Sequence, residues 1–147
     1  ELPKIQCRIN ELGLGSKVHF LGKQDEIAHV ISMADVLLLP SEKESFGLVA
    51  LEAMACGVPT VGSTAGGIPE LITHGETGYL APIGDTYSMA QHVLEILKDE
   101  ALSERLRKAC LHRSKTMFCN ELIRGKYEEI YYRVLGREVS ELKPVCG

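Results

Sequence analysis

The chain has 147 residues, a formal net charge of −4, 45% hydrophobic residues and 24% charged residues. This size and balance suit one folded domain and argue against a disordered chain. The mild negative charge, without a Lys/Arg cluster, argues against a nucleic-acid surface, and no apolar run approaches the roughly 18 residues of a membrane span.

Apolar runs alternate with helical patterns along the first eighty residues. Short apolar runs predict strands at 18–21, 36–39, 60–62 and 78–81. The run at 36–39 is uninterrupted and stops at Pro40, which favours a central parallel strand buried on both faces. Apolar residues at helical spacing predict helices at 3–14, 25–34 and 46–56, a short helix after Gly66-Gly67, and three further helices at 87–98, 101–113 and 121–135.

Strand–helix alternation followed by terminal helices predicts an α/β fold. We expect a Rossmann-like, mostly parallel sheet with flanking helices and a helical C-terminal extension. Residues 1–136 are expected to form this domain and 137–147 a frayed tail. The sequence begins at Glu1 within a polar, helix-like stretch, and we expect the chain to be a fragment. Five cysteines without a CxxC pair predict neither a disulfide framework nor a zinc site, so we expect a reducing, cytoplasmic location.

The segment from Ser41 to Gly57 is the candidate for chemistry. It follows a predicted strand and opens a helix, which is where open α/β sheets bind ligands. Ser45 is the predicted N-cap of that helix, and Gly47 would allow close approach of a ligand. Free backbone N–H groups are expected at Phe46, Gly47, Leu48 and Val49. Together with the helix dipole they predict a site for a phosphate or diphosphate.

Glu52 is the only charged residue between Phe46 and Cys56. A helix that is apolar all round is expected to be buried, and a buried carboxylate requires hydrogen-bond donors. No strong donor lies three or four positions away along the helix. A vicinal diol of a ligand would supply two O–H donors to one carboxylate. The alternatives are a partner from a neighbouring loop and a solvated edge.

Glu44 lies just before the same helix, and its Cα is expected roughly 10–13 Å from that of Glu52. This span matches two polyol groups joined by a diphosphate and is too wide for a paired-carboxylate glycosidase. The alternative is a surface acid that completes a capping box with Ser41. No Lys or Arg occurs from Glu44 through Leu97, so a basic clamp must come from Lys23, from Lys43 or from outside the chain.

The Glu44-x7-Glu52 pattern lies within PSEKESFGLVALEAMACGVPTV and is followed by GGIPELI and GETGYL. Over residues 17–85 these motifs resemble the retaining GT-B glycosyltransferases of family 4. GKQDEI and SEKESFGLVALEAMACGVP are similar in particular to bacillithiol-pathway enzymes that transfer N-acetylglucosamine from UDP-N-acetylglucosamine to L-malate. The resemblance implies most of a donor-binding domain without its first strand or strands, inactive alone.

The resemblance also implies roles for individual residues. Glu44 would bind hydroxyls of the donor sugar as the catalytic residue, and Glu52 would hold the ribose diol. The backbone at Phe46 and Gly47 would contact the sugar, and the amides of Leu48 and Val49 the diphosphate. The base would meet the backbone of Gly22, Lys23 and Gln24.

The partners implied are a UDP-sugar donor, which is a substrate, and a small acceptor held by a domain outside this chain. We expect no metal and no cofactor, no nucleic-acid or membrane partner, and possible homo-oligomers. Two other functions remain open, a non-catalytic nucleotide-sugar-binding module and an α/β interaction domain whose Glu52 is satisfied internally. Gly66-Gly67 is too short to indicate a dinucleotide-binding turn.

Overall fold

The computed structural model describes residues 2–136. One parallel sheet contains β1 (Leu37–Leu39), β2 (Thr60–Ser63) and β3 (Gly78–Ala81), in that spatial order. The helices of the described residues are α1 (Leu2–Glu11), α2 (Ile27–Ser32), α3 (Leu48–Ala55), α4 (Ile68–Leu71), α5 (Thr86–Lys98), α6 (Glu100–Met117) and α7 (Asn120–Val134). The predicted α/β class with a parallel sheet and flanking helices is confirmed.

β2 is the central strand, and all four of its residues are buried. Thr60 is aligned with Leu37 of β1 on one side and with Gly78 of β3 on the other. Because the three strands are parallel, the loops that follow them all leave from the same edge of the sheet. The segment after β1, which holds Glu44, therefore lies beside the turn after β2.

The prediction of a fully buried central strand at 36–39 is wrong. β1 is an edge strand of the sheet in the described residues, and Leu38 is 51% exposed. An uninterrupted apolar run indicates burial on both faces only where neighbours cover both faces. Within residues 2–136, β1 has a strand on one side only.

The predicted strand at 18–21 is also wrong, because these residues are irregular. Phe20 is 49% exposed and Leu21 is 58% exposed. A strand is stabilised by a hydrogen-bonded neighbour, and none of residues 2–136 pairs with this segment. The preceding helix, α1, buries no side chain.

The core lies between the sheet and helices α3 to α6. One cluster joins α3, α4 and α6 through Ala50, Met54, Ile68, Leu71 and Cys110. A second joins β2, β3, α5 and α6 through Val61, Ala81, Met89, Ile96 and Leu106. Burying each large aliphatic side chain contributes about 1.5–3 kcal/mol, so these helices hold the sheet edge in place.

Glycines mark both ends of α3. Gly47 has a φ of +92° at the N-cap, and Gly57 has a φ of +73° just after the last turn. The amide of Gly57 donates to Met54 O at 3.0 Å and that of Val58 to Ala53 O at 2.8 Å, which is a Schellman motif. The helix that carries Glu52 is therefore fixed at its C-terminus.

The thiol of Cys110 is buried in the core. Burial raises the pKa of the Cys110 thiol to about 12, and its Sγ lies 3.1 Å from Thr77 O.

Within residues 2–136 no helix combines the length and apolar composition that crossing a membrane requires. The tail predicted at 137–147 lies outside the described residues.

Candidate functional site

The candidate site lies where the loops after β1 and β2 meet. The amide of Gly67, in the turn after β2, donates to Ser45 O at 3.2 Å. The hydroxyl of Ser63, at the end of β2, donates to Ser41 O in the loop after β1. These two bonds tie the Glu44 segment to the central strand.

Glu44 is half-buried in this loop, and its Oε1 accepts a hydrogen bond from the Ser45 amide at 3.0 Å. The capping-box alternative with Ser41 is wrong, because no helix begins there and α3 starts at Leu48. The prediction of Ser45 as N-cap is wrong for the same reason. The residue that occupies the N-cap is Gly47, which has no side chain to cap the helix.

Helix α3 begins with unpaired backbone donors. The amides of Ala50 and Leu51 donate to Gly47 O at 2.8 and 3.3 Å. Those of Phe46, Gly47, Leu48 and Val49 donate to no acceptor within residues 2–136. Free N–H groups at a helix start, with the dipole behind them, attract anions. The four amides that the sequence predicts to be free are thus unpaired within residues 2–136, and their phosphate-binding role stays a prediction.

The prediction that Glu52 is buried is wrong, because its side chain is exposed. Helix α3 buries Ala50, Ala53 and Met54 and leaves a stripe of Leu48, Glu52 and Ala55 open to solvent. An apolar helix indicates burial all round only if every face has a neighbour, and this stripe has none among the described residues. The solvated-edge alternative describes Glu52 in this structure.

The exposed stripe leaves the Glu52 carboxylate available to a ligand. It accepts no hydrogen bond and forms no ion pair within residues 2–136. Leu48, one turn earlier on the same face, is 64% exposed although it is apolar. Glu52 and Leu48, together with the free amides at the start of α3, therefore form a surface that offers a ligand both polar and apolar contacts.

Residues 22–24, which are predicted to contact the base, are less constrained by the fold than the loop of Glu44. Gly22, Lys23 and Gln24 are exposed, and Gly22 has a φ of +66°. The side-chain amide of Gln24 donates to Leu21 O, and Lys23 Nζ lies 4.0 Å from Asp25 Oδ1 with both side chains 92% exposed. No hydrogen bond among the described residues joins this segment to the loop of Glu44.

No ion pair among the described residues fixes Lys23 or Lys43 at the start of α3. Lys43 is exposed and makes no ion pair with the part of the chain that the structure describes. The same residues contain no group of three or more His, Cys, Asp or Glu side chains arranged to hold a metal. A cavity of about 550 Å³ lies beside Phe46, but its lining residues include neither Glu44 nor Glu52.

Sequence reasoning missed the part played by Gly66 and Gly67. The sequence predicts them as a turn into a short helix and as too weak a dinucleotide fingerprint, yet they pack under the backbone of residues 44–46. The available signal was a glycine pair directly after a strand that neighbours the one before Glu44. In a parallel sheet, turns after adjacent strands come together at one edge.

The chain is similar to several known proteins. The family model for glycosyl transferases group 1 matches residues 1–113. The chain is 50% identical over 127 residues to the N-acetyl-alpha-D-glucosaminyl L-malate synthase of Bacillus anthracis, which covers 86% of this chain and 33% of that protein. It is 40% identical over 93 residues to the D-inositol 3-phosphate glycosyltransferase of Mycolicibacterium smegmatis, covering 62% of this chain and 21% of that protein.

Solved structures show the same fold. HepE from Anabaena in complex with UDP matches with a TM-score of 0.87 at 28% identity, covering 90% of this chain and 36% of that one. Sucrose-phosphate synthase from Thermosynechococcus elongatus matches with a TM-score of 0.85 at 35% identity, covering 91% and 34%. The chain thus spans about a third of the synthase and of each of these structures. On these matches the chain belongs to the glycosyl transferases group 1, and its α/β fold is that of the matching part of the GT-B enzymes.

Proposed function

We propose that this chain is the donor-binding part of a retaining glycosyltransferase that moves N-acetylglucosamine from a UDP-sugar to L-malate or a similar small acceptor. The observation that carries the proposal is the start of α3, where free amides lie between the accessible carboxylates of Glu44 and Glu52. The donor and acceptor follow the name of the 50% identical synthase. UDP follows the HepE complex.

Each part of a UDP-sugar then has a complementary group. Glu44, the catalytic residue, accepts hydroxyls of the sugar, next to the backbone of Phe46 and Gly47. Glu52 accepts the ribose diol, since one carboxylate can take two O–H donors. The amides of Leu48 and Val49 receive the diphosphate. The backbone of residues 22–24 meets the base.

The reaction follows from charge stabilisation at the helix start. As the bond between the sugar C1 and the diphosphate oxygen breaks, negative charge grows on the diphosphate and the α3 amides stabilise it. The acceptor hydroxyl attacks C1 from the side the diphosphate leaves, and its proton passes to the departing phosphate oxygen. The sugar keeps its anomeric configuration. We assign no metal and no cofactor to this step.

Part of the machinery is assigned to chain beyond these residues. A diphosphate carries more charge than helix amides balance at about 0.3–1 kcal/mol per contact, and residues 44–97 contain no Lys or Arg. We therefore assign the basic clamp and the acceptor site to the remaining length of the intact enzyme. The chain alone binds donor without turnover, in the cytoplasm, as a monomer or homo-oligomer.

Binding and transfer test the proposal separately. In calorimetric titrations the chain binds UDP and UDP-N-acetylglucosamine, and inorganic phosphate at equal concentration gives no comparable heat. A chimera in which this segment replaces the matching third of the Bacillus anthracis synthase forms N-acetylglucosaminyl-malate. Absence of nucleotide binding by the chain contradicts the proposal.

The same experiments address the two other functions. A chimera that binds donor but transfers nothing favours a non-catalytic nucleotide-sugar module. The interaction-domain alternative required Glu52 to be satisfied internally, and within residues 2–136 it has no hydrogen-bonding partner. That alternative would be supported only by a Tm that UDP leaves unchanged and Glu52→Ala lowers.

A further inference from the structure

The turn after β2 approaches the Glu44 loop more closely than any side chain would allow. A Cβ placed on Gly66 would lie 1.6 Å from the carbonyl oxygen of Glu44. A Cβ on Gly67 would lie 2.9 Å from the Cα of Phe46 and 3.0 Å from Ser45 O. The atoms in the way are backbone, which cannot rotate aside as the end of a flexible side chain can.

Backbone conformation alone does not explain these glycines. Gly67 has an ordinary φ of −82°, which every residue adopts. Gly66 has a φ of +50°, but Gly75 has a φ of +79° with nothing within 4 Å of its added Cβ. Gly75 is thus an example of a glycine that is needed only for its positive φ. Gly66 and Gly67 differ from it because another backbone occupies the space of their missing side chains.

Other contacts fix the position of the turn after β2 relative to the loop of Glu44. The Gly67 amide donates to Ser45 O at 3.2 Å, immediately beside Glu44. A Cβ on Gly47 would lie 3.3 Å from Ile68 Cγ1 and 3.7 Å from Glu44 Cγ, so the start of α3 also rests on α4. The Glu44 carboxylate is turned back onto the Ser45 amide at 3.0 Å. Moving the turn therefore moves the Glu44 carbonyl and, with it, the carboxylate.

We propose that Gly66 and Gly67 are positioning residues that set where the Glu44 carboxylate meets the sugar of the donor. This rests on the proposed function, in which Glu44 binds sugar hydroxyls. The UDP part of the donor is held at Glu52, at residues 22–24 and at the amides of Leu48 and Val49, which lie in α3 and not in the 44–46 loop against the turn. The glycine pair therefore governs discrimination between UDP-sugar and UDP. A side chain at either position pushes the loop outward and separates Glu44 from the sugar.

The test compares dissociation constants of UDP and UDP-N-acetylglucosamine for the wild-type chain and three variants. The variants are Gly66→Ala, Gly67→Ala and the control Gly75→Ala. We expect Gly66→Ala to lower the ratio Kd(UDP)/Kd(UDP-N-acetylglucosamine) about tenfold or more, as expected for one misplaced hydrogen bond to a charged group. Gly67→Ala lowers the ratio less, because its contacts are only slightly too short. UDP affinity itself stays within about twofold.

Each outcome separates this inference from the proposed function. Gly75→Ala carries similar backbone strain without a steric contact, so its ratio equals that of the wild type. If Gly66→Ala does not fold, Gly67→Ala, with its unstrained φ, gives the result. Wild-type discrimination that both glycine variants retain overturns this inference and leaves the proposed function standing. A wild-type chain that binds neither nucleotide overturns both.

Discussion

The two loops assigned to the nucleotide sugar differ in how firmly the fold holds them. The loop that carries Glu44 is hydrogen-bonded to the turn after β2 and rests on buried side chains of α4. Residues 22–24 are exposed and make only local contacts. A preorganised loop loses little conformational entropy on binding, whereas an exposed one must be ordered by the ligand. Under the proposed function, the fold preorganises the loop that meets the sugar, whereas the segment that meets the base becomes ordered on binding.

Removing the support of the fixed loop should have the largest effect. Ile68 is fully buried beneath Gly47, so Ile68→Ala should lower the free energy of unfolding by about 2–5 kcal/mol through the cavity it leaves. Leu21→Ala, at a side chain that is 58% exposed, should change it by less than about 0.5 kcal/mol. Urea denaturation followed by circular dichroism measures both. Equal losses would show that the two regions are held alike.

The next largest effect is expected at Glu52, the exposed acid on helix α3. Glu52→Gln removes the charge that we propose to accept the ribose diol, so UDP affinity should fall about 10- to 100-fold. The Tm should not change, because Glu52 is exposed and has no hydrogen-bonding partner within residues 2–136. Glu104→Gln, at an exposed helical Glu paired with Lys108, is the matched control for calorimetry. Equal UDP affinity in all three proteins would remove Glu52 from the site.

A third loop at the same sheet edge provides a pH-dependent test of local anchoring. Asp85 caps α5 by accepting from the Ser88 amide at 3.0 Å, and hydrogen bonds from Ser88 hold the pKa of its carboxyl below 3.8. Because the folded pKa is lowered, the stabilisation is present above the unfolded value and is lost as the pH falls through the folded value. Asp85→Ala should therefore lower the Tm at pH 7 and lose that effect on acidification below about pH 4.

The control for this prediction is Asp25→Ala, in the unconstrained region. Asp25 is 92% exposed, and its contact with Lys23 is 4.0 Å long. Exposed pairs of this kind contribute little, so the Tm of Asp25→Ala should match that of the wild type at both pH values. A Tm difference for Asp85→Ala that persists at low pH would mean that its cap does not depend on the carboxylate charge.

The smallest effect is expected at Lys23. If residues 22–24 meet the base through their backbone, Lys23→Ala should change UDP affinity by less than about twofold. Its exposed contact with Asp25 gives it no fixed direction toward the helix start. A loss of tenfold or more in calorimetry would instead identify Lys23 as part of the diphosphate clamp.

Much of the fold was predictable because its signals are local. The strands at 60–62 and 78–81, the α3 helix and its end at Gly57 follow from apolar spacing and glycine position. The strand at 18–21 and the burial of Glu52 were wrong for one shared reason. Both assumed neighbours that residues 2–136 do not supply, and a one-dimensional pattern does not say which face has a neighbour.

In the candidate site, too, local features were predictable from the sequence and contacts between distant segments were not. The free amides at the start of α3 were predicted with Ser45 as the N-cap, and the structure has them with Gly47 at the N-cap instead. The separation of Glu44 and Glu52 and the roles of the site residues stay predictions. The support from Gly66 and Gly67 depends on two backbones meeting across adjacent strands, which no local pattern encodes.

The most direct test of donor binding at the start of α3 is a UDP titration of the isotope-labelled chain followed by amide NMR shifts. We predict the largest saturable shifts at the amides of Leu48 and Val49, whose N–H groups are proposed to receive the diphosphate. The amide of Gly75 donates to Gly78 O at 2.8 Å and should not move. Saturable shifts confined to other segments, or none at all, would contradict it.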